Sequence, residues 1–375
     1  VKVLIDLLRW GEGGTQTFAK RVFPQLLDRL PEAVLLARAD VAREVFTGEE
    51  QLRRVVQAPP SVDNPYRRHL FQRDRVPGIL KSHAVDVYFV PGELSGFRRN
   101  SVPRVRVVKM FRNMLPIDDV ERRRFSFLHD LSTRVRLELL RRHVLASLAT
   151  AERVIFVSKH SHEVVASQTT IRDHRVVYHP VPNLPVSPEF ATQSPTNSER
   201  TILYVSPTDP YKRQLEVIRG FVEYRRLHGD PLARLLLVGP IRGHYGRETR
   251  RAAHRVGGAV SVVGAMPHSE ILALMQRADL LLFASTCECC PNVLLEYLAA
   301  GRPIVCSDVA PMAEFAGDAA VYFNPLDPDD LARALHRVQS DSAVSSALIA
   351  AAESRVKLFP LTSTVAGIVE ALTAW

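Results

Sequence analysis

One stretch limits the possible folds more than any other: ADLLLFASTCECCPNVLLEYLAAGRPIVCSDVA, from Ala278 to Ala310. It reads as strand, loop, helix, strand. Ala278 to Ser285 is a continuous apolar run, as a strand covered on both faces requires. Thr286 to Cys290 interrupts it, and Pro291 suits the first position of a helix, where its missing N–H is not needed. Leu294, Leu295 and Leu298 supply an apolar helix face, and Gly301 followed by Pro303 stops the helix. Glu288 and Glu296, eight positions apart, bracket the loop and the helix start. The N–H groups of Asn292, Val293 and Leu294 point out of the helix N-terminus, where partial positive charge favours an anion. Such a turn holds a phosphate on backbone donors with a carboxylate on either side. That suits a nucleotide-sugar, with its diphosphate in the middle, ribose at one end and sugar at the other. The plainer alternative is a βαβ crossover carrying two surface glutamates.

The 375-residue length points to two domains. With 46% apolar and 24% charged residues, the composition is that of an ordinary soluble globular protein. No uninterrupted apolar run reaches the roughly 18 residues of a membrane span, and no basic-then-apolar leader opens the chain. A cytoplasmic protein is expected, peripheral at the inner face of the plasma membrane. The net charge of +9 favours phosphate-rich partners. Much of it lies in a first-half region with Arg98, Arg99, Arg104, Arg106, Lys109 and Arg112, followed by Arg122 to Arg124, Arg134, Arg136, Arg141 and Arg142. This is either a solvated basic face or a surface for an anionic membrane. Aromatic residues are not interleaved with it as single-strand nucleic-acid binding would prefer, so no nucleic-acid partner is expected. Cys287, Cys289, Cys290 and Cys306 lack the second ligand pair of a zinc site, so buried thiols and no metal are expected.

Strands are expected at 1–8, 86–91, 104–110, 153–158 and 175–179. A helix carried by Phe18, Val22, Leu26 and Leu30 follows the first, kinked or delayed by Pro24. Gly13 and Gly14 let the backbone approach a ligand at its start. Arg112 and Asn113 follow the third strand, where open α/β sheets place ligands. One long helix is expected over 120–150. A Pro-, Ser- and Thr-rich linker covers 181–199. Strands then recur at 201–206, 233–239, 259–264 and 319–325, with helices near 212–227, 268–277, 327–339 and 341–357, and a last helix after Pro360. This alternation predicts parallel sheets covered on both sides. Lys212, at the turn after 201–206, is a compact charge that suits a phosphate.

The segments YVSPTDPYKRQLEVIRGF (204–221), LLLVGP (235–240), VSVVGAMPHSEILALMQRADLLLFAS (260–285) and ECCPNVLLEYLAAGRPIVCSD (288–308) resemble retaining glycosyltransferases of family four. Glu288 and Glu296 match that family's Glu-x7-Glu pattern. The first half resembles it more weakly, through Gly13–Gly14, RNMLP (112–116) and VIFVSKHS (154–161). RNMLP is similar to a subgroup tied to bacterial surface polysaccharides and lipopolysaccharides.

The resemblance implies an α/β GT-B architecture, two Rossmann-like domains facing across a cleft. Residues 1–185, joined by 360–375, would bind the acceptor, and 198–359 the nucleotide-sugar donor. The last helix would cross back onto the first domain. Glu296 would take the ribose hydroxyls, and Glu288 hydroxyls of the transferred sugar. Lys212 and the backbone of Asn292, Val293 and Leu294 would bind the departing diphosphate, with Gly14 approaching it from the other domain. An arginine usual near Pro207 is absent, which shifts phosphate neutralisation to Lys212 with Arg213 or Arg242. Arg112 stands where a histidine is common, and Cys290-Pro291 replaces the usual Phe-Gly. The implied reaction is metal-independent transfer of a hexose, without a cofactor, to a glycan or lipid-linked saccharide. A nucleotide-sugar epimerase, a phosphorylase and a basic binding protein are the alternatives.

Overall fold

The computed structural model describes residues 1–9, 14–128, 131–182, 184 and 199–375. Gly13 and nearly all of the expected linker lie outside the described residues. The chain forms two compact units, Val1–Pro180 with Pro360–Trp375, and Val181–Phe359.

The first unit is built on a parallel sheet of seven strands: β1 (Val3–Asp6), β2 (Val34–Ala37), β3 (Val55–Gln57), β4 (Val87–Val90), β5 (Arg106–Phe111), β6 (Arg153–Phe156) and β7 (His174–Val176). Their order is β3-β2-β1-β4-β5-β6-β7. Every residue of β1, β4 and β6 is buried, which explains why these strands are mostly apolar rather than alternating, with Asp6 and Arg153 as the charged exceptions. β1 pairs with β2 on one side and β4 on the other, with Ile5 opposite both Leu35 and Phe89. Helix starts carry their own signals. Asn64 accepts from the N–H groups of Tyr66 and Arg67 at 3.0 and 3.2 Å, with Pro65 in the first turn.

The second unit holds six parallel strands: β8 (Arg200–Val205), β9 (Ala233–Val238), β10 (Val260–Gly264), β11 (Leu280–Phe283), β12 (Ile304–Ser307) and β13 (Val321–Phe323). Their order is β10-β9-β8-β11-β12-β13. The chain builds outward from β8 to β10, then returns to place β11 on the other side of β8. Gly239, with φ +143°, ends β9 against the Ser206 carbonyl, which would stand 2.2 Å from any Cβ placed there. Only glycine permits that approach.

Several expectations need correction. β2, β3 and the helices between residues 39 and 82 are additional to these expectations: Val34–Ala37 is rich in Leu and Ala, which pattern alone does not tell from a helix, and Val55–Gln57 holds only two apolar residues between arginines and prolines. Residues 120–150 contain two helices, Asp119–Leu128 and Leu131–Ala149, rather than one, with 129–130 outside the described residues. Pro24 lies inside the helix Gly14–Arg29, which therefore does not begin late. Residues 342–373 are apolar enough on average to pass a length-and-composition test for a membrane span. Pro360 separates them into two helices, Ser342–Val356 and Leu361–Thr373, each assigned to a different unit.

The last helix belongs to the first unit because it docks beside β6 and β7. Val365, Ile368, Ala371 and Leu372 are buried, and Thr364 Oγ1 donates to the Tyr178 carbonyl at 2.8 Å. Arg153 fastens its end. The buried guanidinium donates to the carbonyls of Ala371 and Ala374 at 2.8 and 2.7 Å, pairs with Asp173 at 2.6 Å and lies over the Trp375 ring. A cation at a helix C-terminus satisfies carbonyls that no later turn can. Arg153→Met is expected to destabilise the chain by about 2 kcal/mol, since it strands those carbonyls, while Asp173 keeps Arg175 at 3.5 Å. Denaturant titration with limited proteolysis of residues 360–375 checks it. An unchanged midpoint would show that apolar burial alone holds this helix.

Candidate functional site

In an open parallel sheet, ligands gather beyond the carboxyl ends of the strands where the strand order reverses. In the second unit that point lies between β8 and β11. The loop after β8 runs through Ser206 to a 3-10 turn, Pro210–Lys212, then to Arg213 and the helix Gln214–His228. The loop after β11 leads through Glu288 to the helix Asn292–Ala300. Neighbouring strands therefore deliver Lys212 and Glu288, 76 positions apart in the chain, to one place.

They meet as an ion pair, Lys212 Nζ donating to Glu288 Oε1. Both are largely removed from solvent, with side-chain exposures of 10% and 14%. Burial pulls the Lys212 ammonium toward its neutral form, but Glu288, Tyr204 and Asp209 outweigh it and hold the pKa above the ordinary lysine value. The Tyr211 and Phe283 rings face the ammonium at 5.0 and 5.8 Å. The loops are tied to each other by the Thr286 N–H, 2.8 Å from the Tyr211 carbonyl, and Tyr204 OH donates to the Lys212 carbonyl at 2.7 Å.

The two arginines suggested as phosphate partners differ. Arg213 is buried, sits in the left-handed region at φ +57°, donates from Nε to Thr286 Oγ1 at 3.3 Å and lies 3.8 Å from Glu216. Its guanidinium braces the two loops. A non-glycine residue held at positive φ is backbone strain, which the surrounding contacts must offset. Arg242, in the loop after β9, is half exposed and lies 3.5 Å from Asp209. Burial raises the Asp209 pKa, and Arg242 and Lys212 oppose that rise. Lys212, Glu288, Asp209 and Arg242 thus form one connected charge cluster.

Two local readings change at the helix start. Pro291 is the cap residue, and Asn292 is the first helical position. The Asn292 N–H is bonded to the Cys290 carbonyl at 2.9 Å, so it closes the loop rather than pointing outward. The next two leading donors are those of Val293 and Leu294, and the first helical bond is made by Leu295 to the Pro291 carbonyl at 3.1 Å. The four cysteines are buried, and burial raises the Cys306 thiol pKa strongly. Among the described residues, no group of three His, Cys, Asp or Glu side chains is placed to hold a metal ion.

Glu296 is buried on the same helix and meets His268 Nε2 at 2.9 Å. His268 opens the helix His268–Arg277 after β10, and nothing in its local sequence marks it as a partner of Glu296. On the expectation that Glu296 takes the ribose hydroxyls, Glu296→Ala should raise the donor KM about tenfold or more with a smaller change in kcat, because such a hydrogen bond would serve ground and transition states alike. His268→Ala should move KM in the same direction by less. Steady-state kinetics with varied donor checks both, and an unchanged KM in Glu296→Ala would remove that residue from the donor site.

Gly14, Arg112 and Asn113 lie in the first unit. Gly14 opens the helix Gly14–Arg29. Arg112 and Asn113 follow β5 and are half-buried, with the Arg112 guanidinium 4.8 Å from the Phe18 ring centre.

Residues 199–341 match the family described as glycosyl transferases group 1. The matched segment contains Lys212, Arg213, Arg242, Glu288 and Glu296. Over 169 residues the chain is 31% identical to the glycogen synthase of Mycobacterium tuberculosis, covering 44% of this chain and 40% of that relative. The chain therefore spans less than half the length of that curated relative. Similarity of fold extends further. Sucrose-phosphate synthase from Thermosynechococcus elongatus superimposes with a TM-score of 0.74 at 17% identity, over 98% of this chain and 97% of that one. Anabaena HepE in complex with UDP-glucose gives 0.68 at 17% identity, over the whole of both chains. The fold is that of GT-B glycosyltransferases, built from two Rossmann-like units, and the sequence similarity to group 1 lies in the second.

Proposed function

We propose that the chain is a retaining, metal-independent glycosyltransferase that moves a hexose from a nucleotide-sugar to a glycan or lipid-linked saccharide. The observation that carries this reading is the buried Lys212–Glu288 pair beside the start of the helix Asn292–Ala300, at the reversal point of a parallel sheet. The group 1 match over the same residues supports it, and the UDP-glucose bound by Anabaena HepE suggests the class of donor.

The residues divide the work. Val293 and Leu294 N–H groups and the Lys212 ammonium bind the diphosphate, and Arg242 approaches from the loop after β9. As the bond from the anomeric carbon to the phosphate oxygen breaks, negative charge grows on the diphosphate. Lys212 and the helix start stabilise it more in the transition state than before. Glu288 orients Lys212 and accepts hydroxyls of the transferred sugar. Glu296, held by His268, takes the ribose hydroxyls. The acceptor hydroxyl attacks the face that the diphosphate leaves, and its proton passes to the departing phosphate oxygen. The anomeric configuration is retained without a protein base.

The first unit supplies the acceptor side, with Arg112 and Asn113 on the acceptor. Its helix Leu131–Ala149 exposes Val135 and Leu139 among Arg134, Arg136 and Arg142, an apolar and basic mixture that suits an anionic membrane. A peripheral position on the cytoplasmic side and a role in polysaccharide or glycoconjugate synthesis are parts of the same proposal.

The test is a thermal-shift panel of UDP-, GDP-, ADP- and dTDP-sugars, followed by product analysis with the best donor, with and without EDTA. One nucleotide class should raise the melting temperature by mass action. Transfer should proceed in EDTA, and NMR should show a retained anomeric configuration. Stabilisation by no nucleotide-sugar, or an inverted product, would overturn the reading.

A further inference from the structure

A second charged site lies wholly within the first unit. A narrow recess opens at the carboxyl ends of β1 and β4, and its walls include Arg9, Arg68, Arg112, Asp6 and Gln72. This is the reversal point of the first sheet, since β2 and β4 flank β1 on opposite sides. Three separate elements bring the arginines together: the loop after β1, the helix Pro65–Asp74 and the loop after β5.

The recess carries more positive than negative charge. Among the described residues, Asp6 is the acidic side chain in its wall, and it is committed to the protein. Its Oδ1 accepts from the Leu8 N–H at 2.9 Å, and its Oδ2 accepts from Gln72 Nε2 at 2.8 Å and from Tyr88 OH. Burial raises its pKa. Gln72 is held in turn by the Gly96 N–H at 2.9 Å, and a Cβ at Gly96 would stand 2.1 Å from the His69 carbonyl. This rigid floor fixes the position of Arg68. Glu93 balances Arg9 at 2.9 Å from outside the lining. Arg68 donates to the Val62 carbonyl at 3.2 Å, and Arg112 lies over Phe18. Burial and the nearby Arg9 cation both lower the Arg68 pKa, a cost that an anion in the recess would offset.

We propose that this recess binds a phosphate ester carried by the acceptor, gripped by Arg9, Arg68 and Arg112. Guanidinium groups match phosphate oxygens two at a time, and three of them around one opening select a dianion over a neutral saccharide. The word acceptor rests on the transferase reading; the phosphate site itself does not. The phosphate belongs either to a soluble sugar phosphate or to a phospholipid headgroup.

The test measures binding of glucose 6-phosphate, glucose and inorganic phosphate by calorimetry, and of phosphatidylcholine vesicles with and without phosphatidylglycerol by flotation. Wild type, Arg68→Gln/Arg112→Gln, Arg68→Lys and Lys212→Ala are compared on the full chain. Lys212→Ala weakens phosphate binding in the second unit, so phosphate binding that persists there reports the recess. Binding of a phosphate-bearing probe, soluble or vesicular, is expected to survive Lys212→Ala, to fall at least tenfold in the double variant and to be largely kept in Arg68→Lys. Which probe binds identifies the source of the phosphate. No binding of any phosphate-bearing probe, or equal binding in wild type and a folded double variant, would overturn the proposal. UDP binding measured on the same samples reports the donor site. Its loss alone would sink the donor reading and leave this one standing.

Discussion

Lys212→Ala is expected to lower sugar transfer by about a hundred- to a thousand-fold, the range found when one charge-stabilising donor is removed from a reacting centre. The loss should fall mainly on kcat, because the diphosphate carries more charge as it leaves than while it is bound to the sugar. The ion pair adds a second consequence. Without the ammonium, Glu288 is a carboxylate with 14% of its side chain exposed and no countercharge in contact. Removing one partner of a buried pair typically costs about 3–5 kcal/mol, and the partial exposure here lowers that figure. Turnover must therefore be compared at temperatures where circular dichroism shows the variant folded. Lys212→Arg should recover part of the activity, since it keeps the charge but not the compact geometry. Wild-type turnover in folded Lys212→Ala would remove lysine from the mechanism.

Glu288→Gln is expected to cost about a hundred-fold in kcat while nucleotide diphosphate binding changes little. The substitution keeps the size of the side chain and a hydrogen-bond acceptor, but it removes the charge that raises the Lys212 pKa. Burial then acts on the ammonium with less opposition. The variant should therefore lose activity more steeply on the alkaline side than wild type, as the lysine gives up its proton at a lower pH. A pH–rate profile in both proteins reads this directly. The paired substitutions should be strongly non-additive, because either one dismantles the same contact. Additive losses in Lys212→Ala and Glu288→Gln would show that the two side chains act on separate groups.

Much of the second unit was legible before its structure was known. Its strands are three to six residues of mostly apolar sequence, and glycine closes several of its helices. Lys212 and Glu288 could be singled out from their own loops. Their contact could not, because it depends on β11 returning to the near side of β8, and strand order leaves no local trace in sequence. The same applies to His268 and Glu296, which join helices that follow different strands. The Asn292 donor was misread for a more local reason: the Cys290 carbonyl turns back on it within two residues. In the first unit, Arg9 and Arg68 passed unnoticed among many exposed arginines until the fold placed them beside Arg112. β2 is rich in Leu and Ala, which fit a helix equally well, and β3 offers only two apolar residues.

The most direct test is a crystal structure of the chain with the nucleotide-sugar that stabilises it most. The account predicts the diphosphate within hydrogen-bonding distance of the Val293 and Leu294 N–H groups and Lys212 Nζ, with the ribose hydroxyls on Glu296. A diphosphate bound away from the start of the helix Asn292–Ala300, with Lys212 still closed on Glu288 and the ribose remote from Glu296, would contradict it.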